Sequence, residues 1–267
     1  MYETTYHRPK TLAEAGSLLA KSDEAKLLAG GQTLIPTMKQ RLAAPSDVID
    51  LRHIEDLKGI TETPSGGVRI GAAVTHAEVA SSDIVKRQLP GVATLAGGIG
   101  DPHVRHMGTL GGSIANNDPA ADYPAALLAL GATVVTNKRE IAADDFFTAL
   151  FETALGEDEI VTAVVFPKAE KSAYAKYPNP ASRYAMAGVF VAKLGDGSVR
   201  VAATGAGQGG VFRIGAMEQA LGSNWSADAV AGVKVSDGDL LADIHGSAAY
   251  RANLLTVMAK RAVAAAG

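Results

Sequence analysis

Thr109-Leu110-Gly111-Gly112-Ser113-Ile114-Ala115-Asn116 is the most unusual stretch of this chain, and Ala29-Gly30-Gly31-Gln32-Thr33-Leu34, about eighty residues earlier, is its counterpart. Each places adjacent glycines ahead of a small hydroxyl or amide residue. Glycine reaches backbone conformations closed to other residues and lets a ligand come close to the main chain. Successive N–H groups in such a turn form a concave nest for phosphate oxygens. A single loop of this kind also reads as a plain strand-to-helix turn. Two of them predict a diphosphate gripped from two sides.

The first fifty residues alternate in type. Thr11-Leu12-Ala13-Glu14 has capping-box spacing and opens a helix running to about Ala20. Lys26–Ala29 is a short strand feeding the first loop. Thr33–Leu42 reads as helix or turn, with Pro36 near its start, and Val48–Leu51 as a second strand. Beyond Gly59, Val68–Val74 alternates like a strand, and Thr75-His76-Ala77-Glu78 is another capping box opening a helix over Ala77–Lys86. An apolar segment surrounds Val92–Ala96. After the second loop come a helix near 120–130, a strand at Ala132–Thr136 and a strand at Ile160–Phe166.

Composition shifts after Lys168: Lys168–Pro180, rich in Lys, Ala and Pro, reads as a crossing into a second domain. Tyr184–Leu194 and Ser198–Thr204 are strand-like runs joined by Gly195-Asp196-Gly197, a hairpin signal. Helices are predicted at Ala216–Leu221, Ser226–Gly232 and Ser247–Ala265. The pattern predicts an α+β protein with one domain over 1–168, divided into subdomains of about 1–57 and 58–168, and a second over 169–267.

Composition narrows the function. Hydrophobic residues make up 47% and charged residues 20%, as in ordinary globular proteins, and the net charge is −3 without a basic block. No nucleic-acid stripe and no membrane-surface patch is expected. No apolar run has the length of a membrane span, and the first residues lack signal-peptide features, so a cytoplasmic location is expected. There is no cysteine. A cysteine nucleophile, a disulfide framework and a cysteine-ligated iron–sulfur cluster are therefore excluded from this polypeptide.

Three other patterns lead away from chemistry. Gly205-Ala206-Gly207-Gln208-Gly209-Gly210 fits G-x-G-x-x-G after a strand, but no second strand with a terminal acid follows, and Asp228 falls at a helix start; a hairpin-to-helix loop is the preferred reading. His103 and His106 have helical ligand spacing, in a loop rich in proline and glycine with no third ligand, so no metal site is expected. Neither glycine loop ends in Gly-Lys-Ser/Thr, which leaves nucleoside triphosphate hydrolysis unsupported.

The paired loops, with the Tyr6-His7-Arg8-Pro9 opening, resemble the FAD-binding medium subunit of molybdenum hydroxylases, such as aerobic carbon monoxide dehydrogenase, and the flavin domain of xanthine dehydrogenase. The likeness covers nearly the whole chain. It implies a two-part FAD-binding domain of the p-cresol methylhydroxylase/vanillyl-alcohol oxidase type, followed by a small antiparallel-sheet-plus-helices domain. Ala29, Gly30, Gly31, Gln32, Thr33 and Leu34 would form the first FAD diphosphate loop, and Thr109, Gly111, Gly112 and Ser113 the second. Asn116 and Asp122 match polar positions near the flavin and its ribityl–adenosine arm. Val161 matches an apolar adenine contact, and Lys176 and Tyr184 match a cation and an aromatic near the flavin. Read from the residues alone, Val161 is equally a core residue, Lys176 a solvated lysine and Tyr184 a buried strand aromatic. The chain departs from the family at Arg183, where an acid often precedes the tyrosine, and at Tyr177-Pro178-Asn179-Pro180, where the family is commonly basic.

The resemblance implies an FAD-carrying electron-transfer subunit. A large subunit would hold the molybdenum cofactor and a small subunit two [2Fe-2S] clusters, as a dimer of heterotrimers. FAD would take electrons from the clusters and give them to an external acceptor. No catalytic residue and no metal ligand is expected here. A stand-alone flavin oxidoreductase of the same fold and a flavin-free assembly subunit are the alternatives.

Overall fold

A computed structural model describes residues 1–267. In chain order, β1 (Thr5–His7), α1 (Leu12–Leu19), β2 (Lys26–Leu28), α2 (Leu34–Lys39) and β3 (Asp47–Asp50) build a small parallel sheet ordered β1-β3-β2. Thr11 caps α1 by accepting from the Glu14 amide, while the Glu14 carboxylate accepts from the amide of Lys10 rather than that of Thr11. The Asp50 carboxylate, wholly buried, ties this unit together. It accepts from the Tyr6 hydroxyl at 2.6 Å, from Arg52 Nη2 at 2.7 Å and from the Arg52 amide at 3.0 Å.

Next come β4 (Ile60–Glu62), β5 (Val68–Gly71), α3 (His76–Ser81), α4 (Asp83–Gln88), α5 (Pro90–Gly97), α6 (Pro102–Met107), α7 (Leu110–Asn116) and α8 (Tyr123–Leu130). They are followed by β6 (Thr133–Thr136), β7 (Glu140–Ala142), α9 (Ala143–Phe146), β8 (Phe147–Ala149), β9 (Glu152–Thr153) and β10 (Val161–Phe166). A five-stranded antiparallel sheet results, ordered β4-β5-β10-β6-β7. The Thr75 capping box forms as expected, but the predicted 77–86 helix breaks at Ser82. That residue is extended and caps α4 through the Val85 amide. The apolar segment at Val92–Ala96 is helix α5, entered through Pro90, and His103 and His106 lie in α6 rather than in a loop.

The last third holds β11 (Ala169–Pro178), β12 (Ala185–Leu194), β13 (Val199–Thr204), β14 (Phe212–Arg213), α10 (Gly215–Ser223), α11 (Ala227–Ala231) and α12 (Ala248–Ala266). The expected crossing at Lys168–Pro180 is thus the long strand β11, which pairs along β12 in a four-stranded antiparallel meander. The G-x-G-x-x-G stretch is the β13–β14 connection. Both faces of this meander are covered. Phe190, Ala192, Ala202 and Tyr174 join the large core shared with α5 and α8. Ala187, Val189, Val191 and Val201 alternate with them and face a second core built with α10 and α12. Strands covered on both sides read as continuous apolar runs, as β12 does.

Gly91 is the point where α5 meets this sheet: a Cβ there would lie 2.8 Å from Phe190 Cζ and 2.9 Å from the Ala173 amide nitrogen. Gly91→Ala, which in an open helix would stabilise by about 1 kcal/mol, is expected instead to destabilise by about 1–3 kcal/mol through overpacking; an unchanged or raised urea midpoint would refute this. A second expectation concerns Asp50. Burial pushes its carboxyl up, but the Arg52 guanidinium and the Tyr6 hydroxyl outweigh burial and hold it at about 2. A depressed carboxylate contributes stability above its unfolded pKa and loses it as pH falls through the folded value. Asp50→Asn is expected to cost about 2–3 kcal/mol at pH 7, with the gap to the unsubstituted protein narrowing between pH 4 and pH 2. A gap that stays constant over that range in urea titrations would rule out the assignment.

Candidate functional site

The first glycine loop turns off the end of β2. Gly31 sits at φ +71°, in the left-handed region that favours glycine. The amides of Gly30, Gly31, Gln32 and Thr33 donate to no protein acceptor and remain available to a ligand. Gly30 lies against the other loop: a Cβ there would be 2.1 Å from the Met107 carbonyl oxygen and 2.6 Å from Gly108 Cα. On the other side, a Cβ at Gly112 would be 3.2 Å from Ala29 Cβ. The two loops therefore meet, main chain against main chain.

The second loop differs in how its amides are used. Leu110 N donates to the Val74 carbonyl, Gly111 N to the Ala72 carbonyl and Gly112 N to Thr109 Oγ1. The expectation of a nest of free amides thus holds for the first loop, whereas the second is stitched to the end of β5. A Cβ at Gly111 would lie 2.5 Å from Ala72 Cβ. What the second loop offers is close approach, together with the side chains of Ser113 and Asn116.

Ala29, Gly30, Gly31, Gln32, Thr33, Leu34, Thr109, Gly111, Gly112, Ser113, Asn116, Asp122, Val161 and Tyr184 all line one cleft of about 750 Å³. That volume is typical of cofactor pockets. Val161 is both core and cleft wall, since it is buried at the start of β10 beside Ile160. Tyr184 is 50% exposed at the cleft edge rather than buried in a strand. Burial, and then the charges of Asp118 and Asp122, push its hydroxyl pKa up.

Lys176 is the one predicted residue outside the cleft lining. It is not solvated either. From β11 its Nζ donates to Asp122 Oδ2 at 3.1 Å and to the Gly98 carbonyl at 2.9 Å, with the side chain 9% exposed. Tyr174, two residues earlier, donates its hydroxyl to Asp122 Oδ1. Burial pushes Asp122 up, while Lys176 and the Tyr174 hydroxyl oppose it. Lys176 therefore supports the cleft through Asp122, from behind.

Several cleft residues carried no usable signal in the sequence. Phe151 stands at the cleft with φ +56° and is 60% exposed. Its amide donates to the Asn117 carbonyl, and the Asn117 side chain in turn donates to the Ala149 and Glu152 carbonyls. Nothing in an isolated Phe announces a left-handed backbone. His76, visible only as part of a capping box, lines the cleft as a buried side chain. His103 and His106 are both exposed, and no group of three or more His, Cys, Asp or Glu is placed to hold a metal. No helix is long and apolar enough to cross a membrane.

Residues 2–169 match the family model described as FAD binding domain in molybdopterin dehydrogenase. The nicotine 6-hydroxylase medium subunit of Paenarthrobacter nicotinovorans is 36% identical, over 98% of this chain and 96% of the relative. The carbon monoxide dehydrogenase medium chain of Hydrogenophaga pseudoflava is also 36% identical, with the same coverage of 98% and 96%. Among solved structures, reconstituted CO dehydrogenase from Oligotropha carboxidovorans superposes with a TM-score of 0.89 at 33% identity, over 99% of this chain and 97% of that one. The fold is thus the mixed α/β structure seen in that protein, and the two glycine loops that form the cleft fall within the matched residues. The chain belongs to the family of FAD binding domains in molybdopterin dehydrogenases.

Proposed function

We propose that this chain is the FAD-carrying electron-transfer subunit of a molybdenum-containing hydroxylase or dehydrogenase, taking electrons from iron–sulfur clusters on a partner subunit and passing them to an external acceptor. The observation that carries this reading is the meeting of both glycine loops along one cleft in a member of an FAD-binding family. Relatives of matching length are named medium subunit or medium chain, which fits a division of labour among chains. The lack of cysteine fits it too, because cysteine-ligated clusters must then lie on another polypeptide. In this reading a large subunit carries the molybdenum cofactor and a small one the [2Fe-2S] clusters, as a cytoplasmic dimer of heterotrimers. Residues 1–168 form a two-part FAD domain of the p-cresol methylhydroxylase/vanillyl-alcohol oxidase type, and 169–267 the small C-terminal domain.

The residues present suit FAD. Free amides at Gly30–Thr33 suit an anionic diphosphate, and side chains at Gly30 or Gly112 would crowd its cradle. Val161 and Ile160 supply an apolar wall for adenine, and Tyr184 a flat, half-exposed face for the ring system. Bound there, FAD supplies a store of two electrons that can be taken up and released singly or in pairs. The chain's own residues bind and orient it. Asp122 presents a carboxylate to the cleft in a position fixed by Tyr174 and Lys176. No residue is assigned acid–base work on the organic substrate.

The purified chain is expected to carry FAD at close to one per chain, identified by visible spectrum and mass, without bleaching by small organic substrates or nicotinamides. Direct bleaching would favour a stand-alone oxidoreductase, and a colourless chain that takes up no added FAD even with its partner subunits would exclude the reading. Gly31→Val forces a β-branched residue into the left-handed region, a strain of roughly 1–2 kcal/mol, and Gly112→Val crowds Thr109 and Ala29. Each is expected to lower FAD occupancy about tenfold. Near-normal flavin content in both variants would remove the two-loop site.

A further inference from the structure

Where Gly30 meets Met107 and Gly108, the cleft is lined from below by His76. Its side chain is 5% exposed, and its Nδ1 is buried with no hydrogen-bond partner. The ring packs against Tyr123 with centroids 5.4 Å apart and planes tilted by 44°. The Tyr123 hydroxyl is likewise buried without a partner. Buried polar side chains are nearly always hydrogen-bonded, so two orphaned groups on adjacent rings beside a cleft need a reason. Gly108 shows how closely the loop junction covers this histidine: a Cβ there would lie 2.6 Å from His76 Nε2.

The surrounding charges suit an anion. Arg105 on α6 acts on His76 as a neighbouring positive charge, and its guanidinium donates to the carbonyls of Ile99 at 3.0 Å and Gly100 at 3.2 Å rather than to a carboxylate. On the histidine's own helix, Glu78 is spent on the Thr75 amide and hydroxyl. From α8, Tyr123 faces the ring, and Asp122 beside it is engaged by Tyr174 and Lys176. Two further carboxylates line the same cleft, Asp101 accepting from the Val104 amide at 3.0 Å and Asp118 from the Ala120 amide at 2.8 Å.

We propose that His76 is a diphosphate-binding residue of this site, donating a ring N–H to a phosphate oxygen held between the two glycine loops. Tyr123 packs against the ring, with its hydroxyl buried. The assignment rests on the FAD reading above. It also predicts a pH response. Burial, and then the positive charge of Arg105, push the imidazole down to about 4 when no anion is present. A diphosphate against the ring raises that value. Because the bound form has the higher pKa, proton uptake accompanies binding between the two values, and affinity rises as pH falls through the bound-state value toward about 4.

The test uses the full chain. FAD affinity is read from quenching of flavin fluorescence between pH 5.5 and pH 8 for the unsubstituted protein, His76→Leu and His76→Gln, with ADP as competitor. Phosphorus NMR of bound FAD and melting curves of each chain complete the set. His76→Leu is expected to weaken FAD about tenfold, and ADP by the same factor, as for loss of a charge-assisted hydrogen bond. His76→Gln keeps an N–H donor, so at pH 8 it is expected to retain most of the affinity while losing the pH dependence of both the affinity and the phosphorus shifts. If His76→Leu does not fold, the pH response of His76→Gln decides. Unchanged FAD and ADP affinity in a folded variant, or a loss for FAD with none for ADP, overturns the assignment and leaves the FAD reading intact. Failure of the unsubstituted protein to bind FAD, alone or with its partners, overturns both.

Discussion

Gly30 approaches Met107 and Gly108 so closely that no side chain fits between them, and the cleft exists because of that contact. It joins a loop hung on a three-stranded parallel sheet to a loop hung on a five-stranded antiparallel one. Neither sheet alone would enclose a ligand. The two sides then divide the work. One loop is rigid, its amides spent on Val74, Ala72 and Thr109, while the other keeps its amides free. A phosphate group between them would meet unpaired donors on one wall and a fixed, close-packed surface on the other.

The opposite end of the cleft is governed by charge. Asp122 is taken almost entirely out of water, which is costly unless the carboxylate is paired and hydrogen-bonded. Both oxygens are engaged, one by Tyr174 and one by Lys176, and both partners come from β11. A second link runs through Thr204, whose hydroxyl donates to the Ala121 carbonyl at 2.6 Å. The position of this cleft wall is therefore set from outside the cleft.

Much of this was legible in the sequence where the local chemistry is emphatic. The Thr75 capping box, the Gly195-Asp196-Gly197 hairpin and the runs that became β10, β12 and β13 carry strong short-range signals. Both loops were legible because each sets adjacent glycines ahead of a hydroxyl or amide residue, which Gly66-Gly67 and Gly97-Gly98 do not. What escaped was set by tertiary contact. β1 is three mostly exposed residues whose only strand partner is β3. The helix expected near 120–130 is α8, although it is buried on all sides and shows no polar stripe. β11 reads like a linker because Lys, Ala and Pro dominate 168–180, yet Ser172–Tyr174 are buried. The bond from Lys176 to Asp122 is set by the course of β11 and has no local signal in the sequence. His76 and Phe151 gave no signal, since neither a lone histidine in a cap nor a lone phenylalanine reveals what faces it.

The support of Asp122 by β11 also bears on how the protein matures. A nascent chain that has emerged only as far as Phe166 already contains both glycine loops and Asp122. It still lacks Tyr174 and Lys176, and Phe190 has not yet closed over Gly91. The cleft wall at Asp122 gains these hydrogen bonds only when the last third of the chain has docked. A chain that ended before β11 would leave the Asp122 carboxylate without either side-chain partner.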